Sequence, residues 1–108
     1  MKKKEVVKAK KDFNDMIHSN NFLKNKSYVI YIRKKKESFS KFGIAVSKKL
    51  GNAVVRNKLK RQVRSIIDET KDIFPKSYDY IIMMKRNCVE ISFQEMRSEL
   101  IQLIKEIK

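Results

Sequence analysis

The apolar positions of this chain recur with two different periods, and the switches between them divide it into seven elements. Over residues 12–18, Phe13, Met16 and Ile17 fall at helical spacing behind Asp12, a residue type that caps helix starts, so a short first helix is expected there. Asn20-Asn21 ends it, and Phe22-Leu23 reads as a brief edge strand. Tyr28-Val29-Ile30-Tyr31-Ile32 is β-branched and aromatic, the composition of a strand. Arg33-Lys34-Lys35-Lys36-Glu37-Ser38 is polar and highly charged and reads as a loop. In the next strand, Phe42-Gly43-Ile44-Ala45-Val46-Ser47, the large residues Phe42, Ile44 and Val46 point one way and the small Gly43, Ala45 and Ser47 the other. The large set can fill a core. The small set leaves the opposite face low, where a backbone or a base can come close.

Gly51-Asn52 breaks the pattern, and Asn52 is a good cap for a helix running to about residue 69. On that helix Val55, Leu59, Val63 and Ile66 share one apolar arc. Asn57, Arg61 and Arg64 fall on the far side, with Arg56 and Lys60 at the boundary. Pro75 closes the following loop, and Tyr78–Met84 is a strand apolar on both faces, hence central in its sheet. Ser92-Phe93-Gln94-Glu95 is a capping box, with Ile91 and Met96 as its hydrophobic staple. Met96, Leu100, Leu103, Ile104 and Ile107 make the buried stripe of the last helix. The order α-β-β-β-α-β-α predicts an α+β fold, an α/β sandwich with helices packed on a small mixed sheet. The general rule for a strand–helix–strand crossover is right-handed.

Charge changes the picture most. The 108 residues hold 27 Lys plus Arg against 12 Asp plus Glu, a formal net charge of +15 and an isoelectric point near 10.0. Such an excess repels itself unless a polyanion lies close by, and nucleic acid is the commonest one. A membrane partner is not expected, because no run approaches the ~20 apolar residues of a spanning helix. Met1-Lys2-Lys3-Lys4-Glu5 has no apolar stretch behind it and does not read as a signal peptide. With 42% hydrophobic residues the chain has material for a core, and residues 1–108 read as one RNA-binding domain, with 1–8 as a basic, mobile tail. The single cysteine, Cys88, can form no internal disulfide, which suits the cytoplasm.

The densest charge lies in Ser47-Lys48-Lys49-Leu50-Gly51-Asn52-Ala53-Val54-Val55-Arg56-Asn57-Lys58-Leu59-Lys60-Arg61-Gln62-Val63-Arg64, which holds seven Lys or Arg and no acid. Arg56, Lys60 and Arg64, spaced i, i+4, i+8, stack three like charges along one helix face, at a cost of a few tenths of a kcal/mol per pair. They also sit toward the helix N-terminus, where the macrodipole disfavours cations. Phosphates between them remove both penalties. A merely solvated face usually mixes both signs, so the single-sign cluster points to a nucleic-acid surface.

Residues 51–64, as quoted, resemble the Arg-Asn-Arg-type motif of the bacterial ribonuclease P protein component. Phe42-Gly43-Ile44-Ala45-Val46-Ser47-Lys48-Lys49 resembles the strand leading into that motif, Lys11-Asp12-Phe13 the family's Asp-Phe pair on the first helix, and Tyr78-Asp79-Tyr80-Ile81-Ile82 its last strand. The resemblance spans nearly the whole chain in the right order. It implies the protein subunit of a ribonucleoprotein endonuclease that matures the 5′ end of tRNA. The partner RNA, with magnesium, then performs the hydrolysis, and no cofactor, metal site or obligate protein partner is assigned to the protein. It also implies a left-handed crossover into the last strand, against the general rule.

Carried onto this chain, the resemblance makes Arg56, Asn57, Lys60, Arg61 and Arg64 contacts to the catalytic RNA, with Lys48, Lys49, Asn52 and Lys58 beside them. It makes Lys10, Phe13, Ile17, Tyr31, Arg56 and Lys60 the contacts to the 5′ leader of precursor tRNA, in a cleft between the first helix and the sheet. Phe13 and Tyr31 could stack on unpaired bases, worth about 1–3 kcal/mol per base. Phe13 reads equally as a core residue, Tyr28 reads as core before site, and Tyr31 should share a sheet face with Gly43 and Ala45. The chain departs from the family at Ile17, where an aromatic is common, and at Val6-Val7, where Arg-Leu is common, which shifts leader binding from stacking toward charge.

Catalysis by this chain itself is not expected. His18 is the only histidine and has no acid–base partner at an obvious spacing. Asp12, Asp15, Asp68, Glu69 and Asp72 are scattered like helix-end charges, and Cys88 has no metal-ligand partner. The rival readings are a ribosomal or tRNA-binding structural protein, a DNA-compacting protein and a free-standing ribonuclease.

Overall fold

The computed structural model describes residues 5–7 and 10–107, so Lys2, Lys3, Lys4 and Lys8 of the expected basic tail lie outside the described residues. The elements run α1 (Lys10–Ile17), β1 (Phe22–Lys24), β2 (Tyr28–Lys34), β3 (Phe42–Val46), α2 (Ala53–Thr70), β4 (Tyr78–Met84), α3 (Asn87–Glu90) and α4 (Phe93–Ile104). The α-β-β-β-α-β-α order is as expected, with the single-turn α3 added. That turn forms because Lys85 and Arg86 carbonyls accept from the Cys88 and Val89 amides, which swings the Cys88 side chain inside.

Several boundaries differ from the sequence reading; the last helix ends at Ile104, so Ile107 of its expected stripe is buried beyond it, and β3 ends at Val46, one residue before Ser47. α1 begins at Lys10, which puts Asp12 inside the first turn and not at the cap. β2 continues through Arg33 and Lys34, which were expected in the loop. Tertiary pairing overrides local polarity there, since Arg33 and Lys34 register against Asp79 and Tyr78.

The sheet order is β1-β2-β4-β3. β1 and β4 flank β2 antiparallel, and β3 pairs parallel with β4. β4 is therefore interior, as its two apolar faces predict, and α2 is the connection that parallel pairing of β3 and β4 requires. Of the expected tail, Val6 bridges Phe42 in parallel and the Val7 amide donates to the Phe42 carbonyl at 3.0 Å, so residues 5–7 lie along the free edge of β3.

The two sheet faces carry different loads. On one, Tyr28, Ile30, Ile32, Phe42, Tyr80, Ile82 and Met84 pack against Leu59, Val63, Ile66 and Ile67 of α2 and Met96, Leu100, Leu103 and Ile104 of α4. Burying each such side chain contributes roughly 1.5–3 kcal/mol. Phe42, Phe74 and Tyr80 form an aromatic trio with ring centroids 4.8–5.5 Å apart. Buried Tyr28 keeps its hydroxyl satisfied by donating to the Met96 carbonyl at 3.0 Å. On the other face a smaller cluster of Val7, Met16 and Ile81, with Phe13, Ile17, Tyr31 and Ala45 packed on it, seats α1. Only this second face leaves sheet surface open beside a helix.

Candidate nucleic-acid interface

The start of α2 is fixed by three local devices. Ser47 Oγ accepts from the Lys49 amide at 3.2 Å, and Asn52 Oδ1 accepts from the Val55 amide at 3.0 Å. Between them Gly51 has φ +151°, and an added Cβ there would come within 3.0 Å of Val55 Cβ. No other residue fits that turn without strain. A fourth tie comes from outside the motif: Arg86 Nη2 donates to the Lys49 carbonyl at 2.7 Å. Lys48 and Lys49 thus sit on a short 3₁₀ turn directly before the helix, and Asn52 is committed to capping.

Along α2 the side chains of Asn57, Lys58, Lys60, Arg61 and Arg64 are exposed and Arg56 is half-buried. Among the described residues none of the seven cations from Lys48 to Arg64 is ion-paired. The acids of α2 lie in its last turns and are otherwise engaged, Glu69 with Arg97 and Asp68 with Lys71 at 3.8 Å. Arg56 Nε is buried with no hydrogen-bond partner. The first three turns of α2 therefore present an uncompensated cationic face.

That face borders the open side of the sheet. A groove of about 330 Å³ is lined by Val6 and Val7, Phe13 of α1, Gly43 of β3, and Lys60 and Arg64 of α2. Gly43 makes it possible, because a Cβ there would stand 3.2 Å from Phe13 Cε2 and 3.2 Å from Ile81 Cγ1. The register Tyr31↔Ile81 and Gly43↔Ile81 places Tyr31 on the same face as Gly43, with Ala45 one pleat further on. Of the leader contacts expected from sequence, Phe13 and Lys60 meet in the groove, while Ile17 and Tyr31 join the apolar cluster beneath α1. Lys10 is exposed at the start of α1, and neither it nor Arg56 lines the groove. Phe13 is partly buried and so serves packing and groove at once; Tyr28 is wholly core.

Sequence reasoning missed Arg33. Its guanidinium reaches Asp79 Oδ2 (Nη2 at 2.8 Å, Nε at 3.3 Å) and Asp12 Oδ1 (Nη1 at 3.3 Å). One side chain thereby ties the first turn of α1 to the central strand and sets where Phe13 stands. The available signal was period: Arg33 continues the alternation of Val29 and Tyr31.

The remaining candidates do not converge. His18 Nδ1 lies 2.8 Å from the Asn14 carbonyl, a helix-end contact. Among the described residues no three His, Cys, Asp or Glu side chains gather as a metal cage requires. Cys88 is buried, and burial pushes its thiol up from the ordinary 9.0 to about 11, which removes the reactive thiolate. A second recess of about 210 Å³, between the β2–β3 loop and the turn after α2, carries Lys71, already paired with Glu5 at 2.6 Å. Among the described residues no helix is long and apolar enough to cross a membrane.

Comparison with known proteins agrees with this geometry. The profile of the ribonuclease P family matches residues 1–108. The ribonuclease P protein component of Mycoplasma capricolum is 42% identical over 109 residues, covering 100% of both chains. That of Bacillus mycoides is 36% identical over 106 residues, covering 97% of this chain and 92% of its own. The ribonuclease P protein of Thermotoga maritima superposes with a TM-score of 0.87 at 32% identity, covering 96% of this chain and 98% of its own. That of Staphylococcus aureus gives 0.84 at 29%, covering 94% and 93%.

Proposed function

Because this chain belongs to the ribonuclease P protein family, as a component of a ribonucleoprotein endoribonuclease that processes tRNA 5′ ends, we propose that its α2 face holds the catalytic RNA and its groove the 5′ leader of precursor tRNA. One observation carries the division of labour: Lys60 and Arg64 of the cationic helix and Phe13 of α1 line the same groove. A phosphate backbone lying on α2 is then continuous with a place where an unpaired base can enter.

In this reading Arg56, Lys58, Lys60, Arg61 and Arg64, with Lys48 and Lys49, neutralise the phosphates of ribonuclease P RNA, and the Asn57 amide hydrogen-bonds to it. Asn52 acts by capping the helix that carries them. Phe13, Tyr31 and Lys60 meet the leader, with Lys10, Ile17 and Arg56 at its margins. Hydrolysis and its magnesium belong to the RNA partner. This chain's part is to reduce repulsion between two RNAs and to orient one against the other, which lowers the barrier through positioning. The cytoplasm is the compartment where such a substrate is made.

The test is reconstitution. The purified chain is added to a bacterial ribonuclease P RNA with precursor tRNA at low magnesium, and 5′ cleavage is followed. A gain in cleavage rate is expected from the pair and none from the protein alone. No gain, or cleavage by the protein without RNA, overturns the proposal.

A further inference from the structure

The groove at α2 and the edge strand β1 lie at opposite ends of the sheet, and both open on the face that carries α1. Phe22 and Lys24 are both exposed, while Leu23 between them turns inward onto the main core. Phe22 pairs with Tyr31 in the antiparallel register, and the two rings lie 5.7 Å apart at 52°. Lys24 pairs with Val29, one pleat along on the same face. The outward side of β1 therefore belongs to the Tyr31 face of the sheet, which is the face that carries α1 and the groove.

Phe22 is not needed inside. At 44% exposure it is among the few large apolar side chains left in water, and its strand is already anchored by Leu23, which is partly buried against the core. Two rows cross the sheet on this face: Phe22–Tyr31–Ile81–Gly43, and Lys24–Val29–Met83–Ala45. The first begins at an exposed ring and passes beneath α1, where Ile81 and Gly43 are buried; the second begins at an exposed ammonium and is only partly buried along its length, which leaves it as the path across the sheet. Across four strands each row is roughly 14 Å long, the reach of a few stacked nucleotides. A ring flanked by a cation, on the rim of a basic chain, is the pairing that single-stranded RNA uses, with a base on the ring and a phosphate on the ammonium.

We infer that Phe22 and Lys24 form a distal nucleotide site, in which a base of the single-stranded leader stacks on the Phe22–Tyr31 pair and the neighbouring phosphate is held by Lys24. This inference rests on the leader reading above and extends the leader's path across the sheet, from α2 to β1. The site makes binding depend on leader length, because a leader too short to cross the sheet never reaches β1.

The experiment uses the holoenzyme reconstituted with ribonuclease P RNA, and titrates mature tRNA, a precursor with a one-nucleotide leader and a precursor with a long leader. For Phe22→Ala the affinity for the long-leader precursor should fall about five- to tenfold, with the other two ligands unchanged and Phe22→Tyr restoring the loss. Lys24→Gln should reduce the salt slope for the long leader alone, by about 0.7. Thermal unfolding close to the unsubstituted protein's checks that the exposed ring was not holding the fold. Equal loss on all three ligands, or no loss on any, overturns the inference. Tyr31→Ala run in parallel separates the two levels. If it alone lowers precursor affinity, the distal site falls and the leader reading stands. If neither variant separates precursor from mature tRNA, both fall.

Discussion

Arg33 and Asp79 face each other across the antiparallel β2–β4 pair, and the guanidinium reaches the same carboxylate oxygen twice, with Nη2 at 2.8 Å and Nε at 3.3 Å. The other oxygen of Asp79 accepts from the Lys41 amide at 2.9 Å, so this carboxylate is both buried and fully engaged. Arg33 keeps one nitrogen for Asp12 on α1. The pair thus joins the sheet, the chain leading into β3 and the helix that carries Phe13.

Asp79→Ala should destabilise the protein by about 2–4 kcal/mol, because it strands a largely buried guanidinium and a backbone amide together. In a domain of this size the midpoint of thermal unfolding should drop by roughly 10 °C or more. Chemical denaturation checks it; a loss under about 0.5 kcal/mol would mean that the fork contributes nothing net.

Replacing Arg56, Lys60 and Arg64 together with Ala removes three cations that have no acidic partner among the described residues. Circular dichroism should be unchanged and thermal stability equal or higher, since like-charge repulsion on one helix face is relieved. Binding to ribonuclease P RNA should lose salt dependence, its log–log slope falling by roughly 0.7–0.9 for each lost phosphate contact. An unaltered slope would place the RNA elsewhere.

Tyr31 lies on the groove face and is only partly buried. Tyr31→Ala should weaken holoenzyme binding of precursor tRNA by about 1–2 kcal/mol and leave mature tRNA nearly untouched. Equilibrium binding of both ligands measures it, and equal loss for the two would remove Tyr31 from the leader site.

Gly43 gives Phe13 its seat, with Phe13 Cε2 only 3.2 Å from where a Cβ would be. Gly43→Val should displace that ring, cost about 1–3 kcal/mol through overpacking and reduce the preference for precursor over mature tRNA. If stability falls while the preference is kept, the position of Phe13 does not matter to the leader.

The folded protein holds the Cys88 thiol proton to about pH 11, against 9.0 ordinarily, because the group is buried. The unfolded chain releases that proton at lower pH, so the native state binds more protons between these values and stability falls as pH rises. Stability is full below about pH 9 and is lost progressively toward about 11, the fall being shallower in Cys88→Ala. Denaturation across that range tests it, and Cys88 should resist alkylation near pH 8 until the protein unfolds.

By itself the sequence determined the elements whose signals are local. The α2 cap at Asn52, the Ser92 capping box, the limits of β4 and the alternation of β3 are each written within a few residues of where they act. The cationic stripe is legible for the same reason: three like charges at i, i+4, i+8 share a face in any α-helix. Its place beside Phe13 came only with the family resemblance and not from the residues themselves, because it depends on β3 and β4 pairing in parallel and on Gly43 lying beneath α1. The sequence also misplaced Arg33, whose charge reads as loop until Asp79, 46 residues away, supplies its partner across the sheet. Phe22 went unread as a surface ring because three residues of edge strand carry too short a pattern to show which side faces water. Tertiary structure decided these matters, since it alone brings sequence-distant groups to within a few ångströms, where charge and ring contacts have their energy.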